Sequence, residues 1–365
     1  LVGVLVTVES SITSLVAGAV GRPLTDRFKV SREKLAYICD STSAPICILV
    51  PFNGWGAFIL GLLAVQGVES PVALLFQSIR VNFYPMAAIV IVFLSIVRKW
   101  NLGPMKAAEL RAQHEGKVYG DGARPMVADD VVGVKPLEGI QYRAVNLVAP
   151  VITMVVSIVV GIYATGRLSA GEDAELWDII KASSGSTAVL WAVIMSLVVL
   201  AALNLFRGLP LNTFVDLIFK GMGGMIPVVS LLLLAFALGD AVRQLGTGVY
   251  VAGVISGVLS TKMAVIGLFL ISCFVAFSTG TSWGTFAVMV PIAVPMATTL
   301  DGSTPMFLAA VLGGGVFGDH CSPISDTTII SSMASASDHI DHVRTQIPFA
   351  TVGAAVTIVI YLIIA

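Results

Sequence analysis

Two carboxylates, an imidazole and a run of hydroxyls fall in one short stretch, Gly318-Asp319-His320-Cys321-Ser322-Pro323-Ile324-Ser325-Asp326-Thr327-Thr328. The surroundings are apolar: no charged residue occurs from Met263 to Leu300, nor from Gly302 to Gly318. Ionisable groups at membrane depth are costly and mark ion paths, proton relays or substrate sites. Pro323 removes a backbone donor and the hydroxyls offer competing local bonds, so a helix is expected to break here. A broken segment that carries carboxylates reads as a cation or proton site.

Asp40, Asp319 and Asp326 are the strongest candidate ligands. A carboxylate in low dielectric holds its proton more tightly, and a bound cation favours its release. One site can therefore exchange Na+ for H+ by competition. Ser41, Thr42, Ser322, Ser325, Thr327 and Thr328 stand beside these carboxylates and can offer neutral oxygens to a hard cation. Asp326 also suits the N-cap of a helix beginning at Thr327. Glu9 and His320 are candidate proton carriers, His320 because an unperturbed imidazole titrates near ~6.5. Thr13 lies one turn from Glu9, and an interfacial Glu9 is the competing reading.

Ser278-Thr279-Gly280-Thr281-Ser282-Trp283-Gly284 contains G-x-S-x-G, the pattern of a nucleophile elbow, which needs a strand before it and a helix after it. Here it interrupts an apolar helical run. Ser278, Thr281 and Ser282 therefore read as part of a hydroxyl and carbonyl patch at a broken helix. A remote alternative is an intramembrane serine hydrolase with His320 as base to Ser282. Asp338-His339-Ile340-Asp341-His342 uses metal-ligand residue types, but H-x-x-H lacks the i, i+4 spacing of a zincin and no third ligand is evident. It reads as a polar membrane-edge segment. No cofactor is expected, and no metal beyond transported Na+.

The elements that position these groups must be membrane helices. Apolar residues make up 56% and charged residues 12% of the 365, against roughly 45–50% and about 25% in soluble domains. A net charge of −1 gives no electrostatic basis for binding nucleic acid. Cys39, Cys47, Cys273 and Cys321 lack CxxC spacing and read as small buried apolar residues. The chain opens on Leu1, with no basic region before an apolar one, which reads as a start within a longer protein rather than a signal peptide.

A span needs ~20 apolar residues. Uncharged candidates are 81–97, 144–165, 187–206, 221–239 and 345–365. Two longer uncharged runs, 41–68 and 263–300, contain Pro45, Pro51, Gly54 and Gly56, and Gly280, Gly284, Pro291 and Pro295. Such runs suit discontinuous or re-entrant helices. Basic residues crowd 22–34 and 98–143, whereas 166–186 is acid-rich, so the first two are expected inside and the third outside. The division expected is a membrane half over 1–97, a cytoplasmic linker over 98–143 without helical periodicity over most of its length, and a second membrane half over 144–365.

Short echoes fall on either side of that linker. Pro23-Leu24-Thr25-Asp26 matches Pro323-Ile324-Ser325-Asp326, Asp40-Ser41-Thr42 matches Asp326-Thr327-Thr328, and Asn53-Gly54-Trp55-Gly56 matches Thr281-Ser282-Trp283-Gly284. Their order differs between the halves. They fit the repeat architecture of secondary transporters.

Arg22-Pro23-Leu24-Thr25-Asp26, Ser31-Arg32-Glu33-Lys34-Leu35-Ala36-Tyr37, Asp40-Ser41-Thr42 and the Gly318–Thr328 motif together resemble the NhaC-type sodium/proton antiporter family of the ion-transporter superfamily. The resemblance runs over nearly the whole chain. It implies an all-α polytopic membrane protein, an inverted-repeat secondary transporter with discontinuous helices. Some members exchange Na+ for H+, and some couple both ions to organic anions such as malate and lactate. Many have a consecutive acidic pair and an Asn where this chain has Glu9-Ser10 and Thr13. The expected function is Na+/H+ antiport at intramembrane carboxylates, not enzymatic catalysis, in the inner membrane of a bacterium or archaeon. Its partners are Na+, H+ and the lipid bilayer, and a homo-oligomer is compatible with it. The alternative is an organic-anion or amino-acid exchanger.

Overall fold

The computed structural model describes residues 10–125, 145–171, 174–256 and 260–365. Within them the chain is helical and contains no strand. The helices are α1 Ser10–Arg27, α2 Arg32–Ser41, α3 Ala44–Leu49, α4 Gly54–Val65, α5 Pro71–Ile79, α6 Phe83–Val97 and α7 Pro104–Glu115. Next come α8 Val145–Ala170, α9 Leu176–Ala182, α10 Gly185–Leu205, α11 Leu211–Gln244 and α12 Thr247–Ser256. The last five are α13 Thr261–Thr279, α14 Ser282–Thr299, α15 Thr304–Cys321, α16 Asp326–Ser335 and α17 His339–Ile364. Six segments among the described residues are long and apolar enough to cross a membrane: Pro71–Val97, Val148–Ala170, Gly185–Leu205, Thr261–Thr279, Ser282–Thr299 and His339–Ile364. This is an all-α, multi-pass membrane protein.

Two compact units share the chain and interleave in sequence. One takes in Leu1–Val50, Gln77–Gly133 and Val242–Ala365, and the other Pro51–Phe76 and Val134–Ala241. In the second unit, α8 and α10 form an antiparallel pair. Ser184 N donates to Thr165 Oγ1 at 3.1 Å near one end, and Ser196 Oγ to the Pro150 carbonyl at 2.9 Å toward the other. Small residues permit the approach, since a Cβ on Gly161 would stand 2.9 Å from Ala188.

The first unit holds every described candidate carboxylate. Several of its helices start where polar side chains satisfy free backbone donors. Ser31 accepts from Lys34 N at 3.2 Å to begin α2, Thr281 from Gly284 N at 3.3 Å to begin α14, and Asp338 from Ile340 N at 2.9 Å to begin α17. The 263–300 run breaks once, at Gly280 and Thr281. Gly284, Pro291 and Pro295 lie inside α14 without ending it, so the run yields two helices each long enough to span. Gly280 ends α13 at φ +67, a left-handed conformation that favours glycine. A Cβ on it would also stand 2.7 Å from the Ile324 carbonyl oxygen. The break between α13 and α14 is thus pressed against the break between α15 and α16. The latter falls around Pro323, where the sequence places it.

The polar segment 98–143 departs from expectation in its first part, because α7 folds there and buries Met105, Ala108, Glu109 and Ala112. Glu109 Oε1 accepts from Ser31 N at 2.8 Å and Ser31 Oγ at 2.7 Å, and Arg111 pairs with Glu33 at 2.8 Å. Sparse apolar positions in a charged sequence hid this helix, since its burial is made by charge pairing as well as by apolar contact. Residues 126–144 lie outside the described part. His114 is exposed on α7. The four cysteines are buried, and none forms a disulfide among the described residues.

The repeat echo around tryptophan has a local structural counterpart. Asn53 caps α4 by accepting from Gly56 N at 3.1 Å, three residues on, as Thr281 caps α14. The aspartate echo does not, since Asp40 lies at the end of α2 and Asp326 at the start of α16.

Candidate functional site

Asp40 and Asp319 are buried, at 0% and 1% exposure, in a packing of α1, α2, α15, α16 and α17. Burial of a carboxylate demands compensating donors. Asp319, near the end of α15, has them at both oxygens: Oδ2 accepts from Ser282 Oγ at 2.9 Å and Oδ1 from Ser325 Oγ at 2.5 Å. Ser325 Oγ lies 3.0 Å from Thr327 Oγ1. The two helix breaks therefore converge on one carboxylate, the α13–α14 break through Ser282 and the α15–α16 break through Ser325. Hydroxyls are rotors: they donate to a carboxylate, and when turned they present lone pairs to a cation.

Asp40 is satisfied on one side only. Its Oδ2 accepts from Gln346 Nε2 at 2.6 Å and Thr328 Oγ1 at 3.3 Å, and His342 Nε2 stands 3.9 Å away. Among the described residues, Oδ1 has no hydrogen-bond partner. The Thr328 hydroxyl is also 3.3 Å from the backbone carbonyl oxygen of Asp319, so its single proton lies between the Asp40 carboxylate and the end of α15. Ser14 on α1 and Ser331 on α16 add a buried hydroxyl pair at 3.0 Å.

Close backbone approach makes this convergence possible. A Cβ on Gly318 would stand 2.4 Å from the Cys273 carbonyl oxygen, so only glycine lets α15 bring Asp319 so near α13.

The structure sorts the sequence-derived candidates. Asp40, Asp319, Ser282, Thr327 and Thr328 come together in this buried network. His320 is buried beside it, with Nε2 2.7 Å from Ser41 Oγ and Nδ1 2.9 Å from Tyr84 Oη. Neither nitrogen of His320 is directed to Ser282, whose hydroxyl goes to Asp319, so the Ser–His pair of a hydrolase is not formed. Asp326 is exposed at the first position of α16, where its Oδ1 accepts from Thr327 N at 2.7 Å. Helix α16 starts one residue earlier than expected, and Ser325 takes the N-cap position. Asp326 remains near enough to Asp319 for their charges to interact. Thr42 donates to the Ile38 carbonyl at 2.7 Å and closes the end of α2. Thr281 is the cap of α14, and Ser278 is exposed on the last turn of α13. Glu9 lies outside the described residues.

Three participants escaped the sequence reading. Gln346 bridges Asp40, the His320 carbonyl and His342, and Tyr84 holds His320. His342 was expected in a polar membrane-edge segment, yet it is fully buried against Asp40. Its signal was the i, i+4 spacing of His342 and Gln346, which puts both on one face of α17.

A model of the Na+/H+ antiporter family matches residues 56–365. The chain belongs to the Na+/H+ antiporter family. The matched range takes in the whole of α13 to α17, with Asp319, Ser282, His342 and Gln346. An uncharacterized protein of Haemophilus influenzae is 32% identical over 98% of this chain and 68% of its own length. Two antiporters match over shorter stretches, each 26% of this chain. They are an uncharacterized Na(+)/H(+) antiporter of Haemophilus influenzae, 36% identical over 21% of its length, and the Malate-2H(+)/Na(+)-lactate antiporter of Bacillus subtilis, 30% identical over 20% of its length. Membership in an antiporter family agrees with a helical membrane chain whose buried carboxylates meet at helix breaks.

Proposed function

We propose that this chain exchanges Na+ for H+ across the cell membrane of a bacterium or archaeon, at a site built on Asp40 and Asp319. The observation that supports this reading is Asp40 Oδ1, a fully buried carboxylate oxygen with no partner among the described residues. An unmatched buried acceptor costs about 1–3 kcal/mol, and more when charged. A proton or a small hard cation relieves that cost, and the two are alternatives. Ser282, Ser325, Thr327 and Thr328 supply the neutral oxygens such a cation requires. Asp326, exposed beside Asp319, serves as an outer carboxylate that attracts the cation. Glu9 and His320 are held as accessory proton carriers.

A second reading, exchange of organic anions coupled to Na+ or H+, draws on the similarity to the Malate-2H(+)/Na(+)-lactate antiporter of Bacillus subtilis. A carboxylate substrate would seek the N-terminus of α14 or α16. At α16 it would meet Asp326 and Asp319, and like charges at such a site disfavour it. The cation reading is preferred for that reason.

The test is reconstitution into liposomes holding a pH dye, with Na+, K+, malate and lactate added in turn. Na+ alone driving proton movement is the expected result. Proton movement that requires malate or lactate would replace it with the second reading.

A further inference from the structure

A cavity of about 480 Å³ lies just beyond the membrane span Pro71–Val97, at the corner where α6 gives way to α7. Arg98, Lys99 and Lys106 line it together with Trp100, Asn101 and Glu109. The three cations are exposed, and their side chains make no ion pair or hydrogen bond among the described residues. The carboxylate in the wall is already answered from within the protein. Glu109 Oε1 accepts from Ser31 N and Ser31 Oγ, and the buried Lys34 is near enough for its charge to act on Glu109. The cavity is left with an excess of positive charge.

Its wall is held in shape by the core. Asn101 Oδ1 accepts from Lys34 Nζ at 2.8 Å, so the amide NH2 is turned away from Lys34 and kept as a donor. Met105, next to Lys106, is fully buried in a cluster with Tyr37, Ile91, Val92 and Phe349. Gly103 turns the chain into α7 at φ +48, and a Cβ there would stand 3.4 Å from Pro348.

These donors suit a phosphate group, which arginine grips through paired N–H groups and lysine meets as a point charge. The surface leading to the cavity shows what else the ligand carries. Val90, Phe93 and Val97 share one face of α6 and are 56%, 62% and 58% exposed. On a membrane-spanning helix such a strip lies against acyl chains. Trp100 follows it, and indole rings favour the boundary between headgroups and chains. The crowding of basic residues over 98–143 puts this edge on the cytoplasmic side.

We propose that this cavity binds the headgroup phosphate of an anionic phospholipid of the inner leaflet, with Arg98, Lys99 and Lys106 on the phosphate and an acyl chain along α6. Basic pockets at the cytoplasmic edge of membrane helices take such headgroups. A zwitterionic lipid brings its own cation into a cavity that already has an excess of them, and is disfavoured. Free phosphate has nothing to lay on the apolar strip. The wall meets α2 at Ser31 and Lys34, whereas Asp40 lies at the other end of that helix, so the lipid site does not depend on which ions are exchanged.

Native mass spectrometry of the detergent-purified protein, titrated with phosphatidylglycerol or with phosphatidylcholine of the same chains, reads binding directly. Phosphatidylglycerol is expected to bind more tightly. Arg98→Gln/Lys106→Gln should weaken it by about fivefold for each cation removed and leave phosphatidylcholine binding unchanged. Arg27→Gln removes an exposed cation outside the cavity and should leave phosphatidylglycerol binding as it is. Equal affinity for the two lipids, or an equal loss in Arg27→Gln and the double variant, overturns the proposal. Inorganic phosphate separates the two sources of the headgroup chemistry. Displacement of phosphatidylglycerol by an equal concentration of phosphate would make this a phosphate site and overturn the lipid assignment. A further measurement needs no change of charge: phosphatidylglycerol with brominated chains should quench tryptophan fluorescence in the wild type, and less in Trp100→Phe. The same quenching in both proteins would place the lipid elsewhere.

Discussion

Gln346 Nε2 donates to Asp40 Oδ2 at 2.6 Å, and the same amide group donates to the His320 carbonyl. One side chain on α17 thereby fixes the end of α2 against the end of α15, where the two buried carboxylates lie.

Replacing Gln346 by Leu keeps most of the volume and leaves both acceptors buried without that donor. Each such loss costs about 1–3 kcal/mol. A lower Tm of the detergent-purified protein is expected, together with weakened Na+-driven proton flux. An unchanged Tm would mean that the amide is not what holds these helices in register.

The carboxylates are expected to rank by burial. Asp40→Asn and Asp319→Asn keep shape but remove the charge that attracts Na+ and the group that takes a proton, so flux in liposomes should vanish. Asp326→Asn, at an exposed helix start, should retain flux with a higher half-saturating Na+ concentration. Loss of all flux in Asp326→Asn alone would move the site from the buried pair to the helix start.

Ser282→Ala removes the hydroxyl that donates to Asp319 Oδ2. Loss of one such contact is worth about 1 kcal/mol, so Na+ affinity should fall about fivefold. No labelling of Ser282 by a serine-directed fluorophosphonate is expected, because its hydroxyl faces a carboxylate and not His320. Labelling that disappears in the Ala variant would revive the hydrolase alternative.

The residues legible in sequence were those whose chemistry conflicts with an apolar setting. Asp40, Asp319, Ser282 and Thr328 stand out on that ground, and Pro323 and Gly280 give the breaks that bring Asp319 and Ser282 together. Burial was not legible: Asp319 and Asp326 look alike in one motif, yet the turn at Pro323 sends one into the core and the other to the surface. His342 and Gln346 were obscured because they sit at the edge of an uncharged span, where polar residues usually face water. Helix α7 was hidden by its charges, two of which, Glu109 and Arg111, are what anchor it to Ser31 and Glu33.

Competition between Na+ and H+ for one site fixes a sign. Na+ binds the deprotonated form, so adding Na+ stabilises that form and the midpoint pH of proton release must fall. Where Na+ is well above its dissociation constant and the two ions are strictly exclusive, the midpoint should move by about one pH unit for each tenfold rise in Na+. Flux should rise with pH as the site is freed and then flatten as protons become scarce. The measurement is proton release from purified protein into a weakly buffered solution at several Na+ concentrations, with K+ as the control. The expected outcome is a downward shift with Na+ and none with K+. A midpoint that stays fixed would separate the Na+ and H+ sites, and the organic-anion exchanger would become the better account of the buried carboxylates.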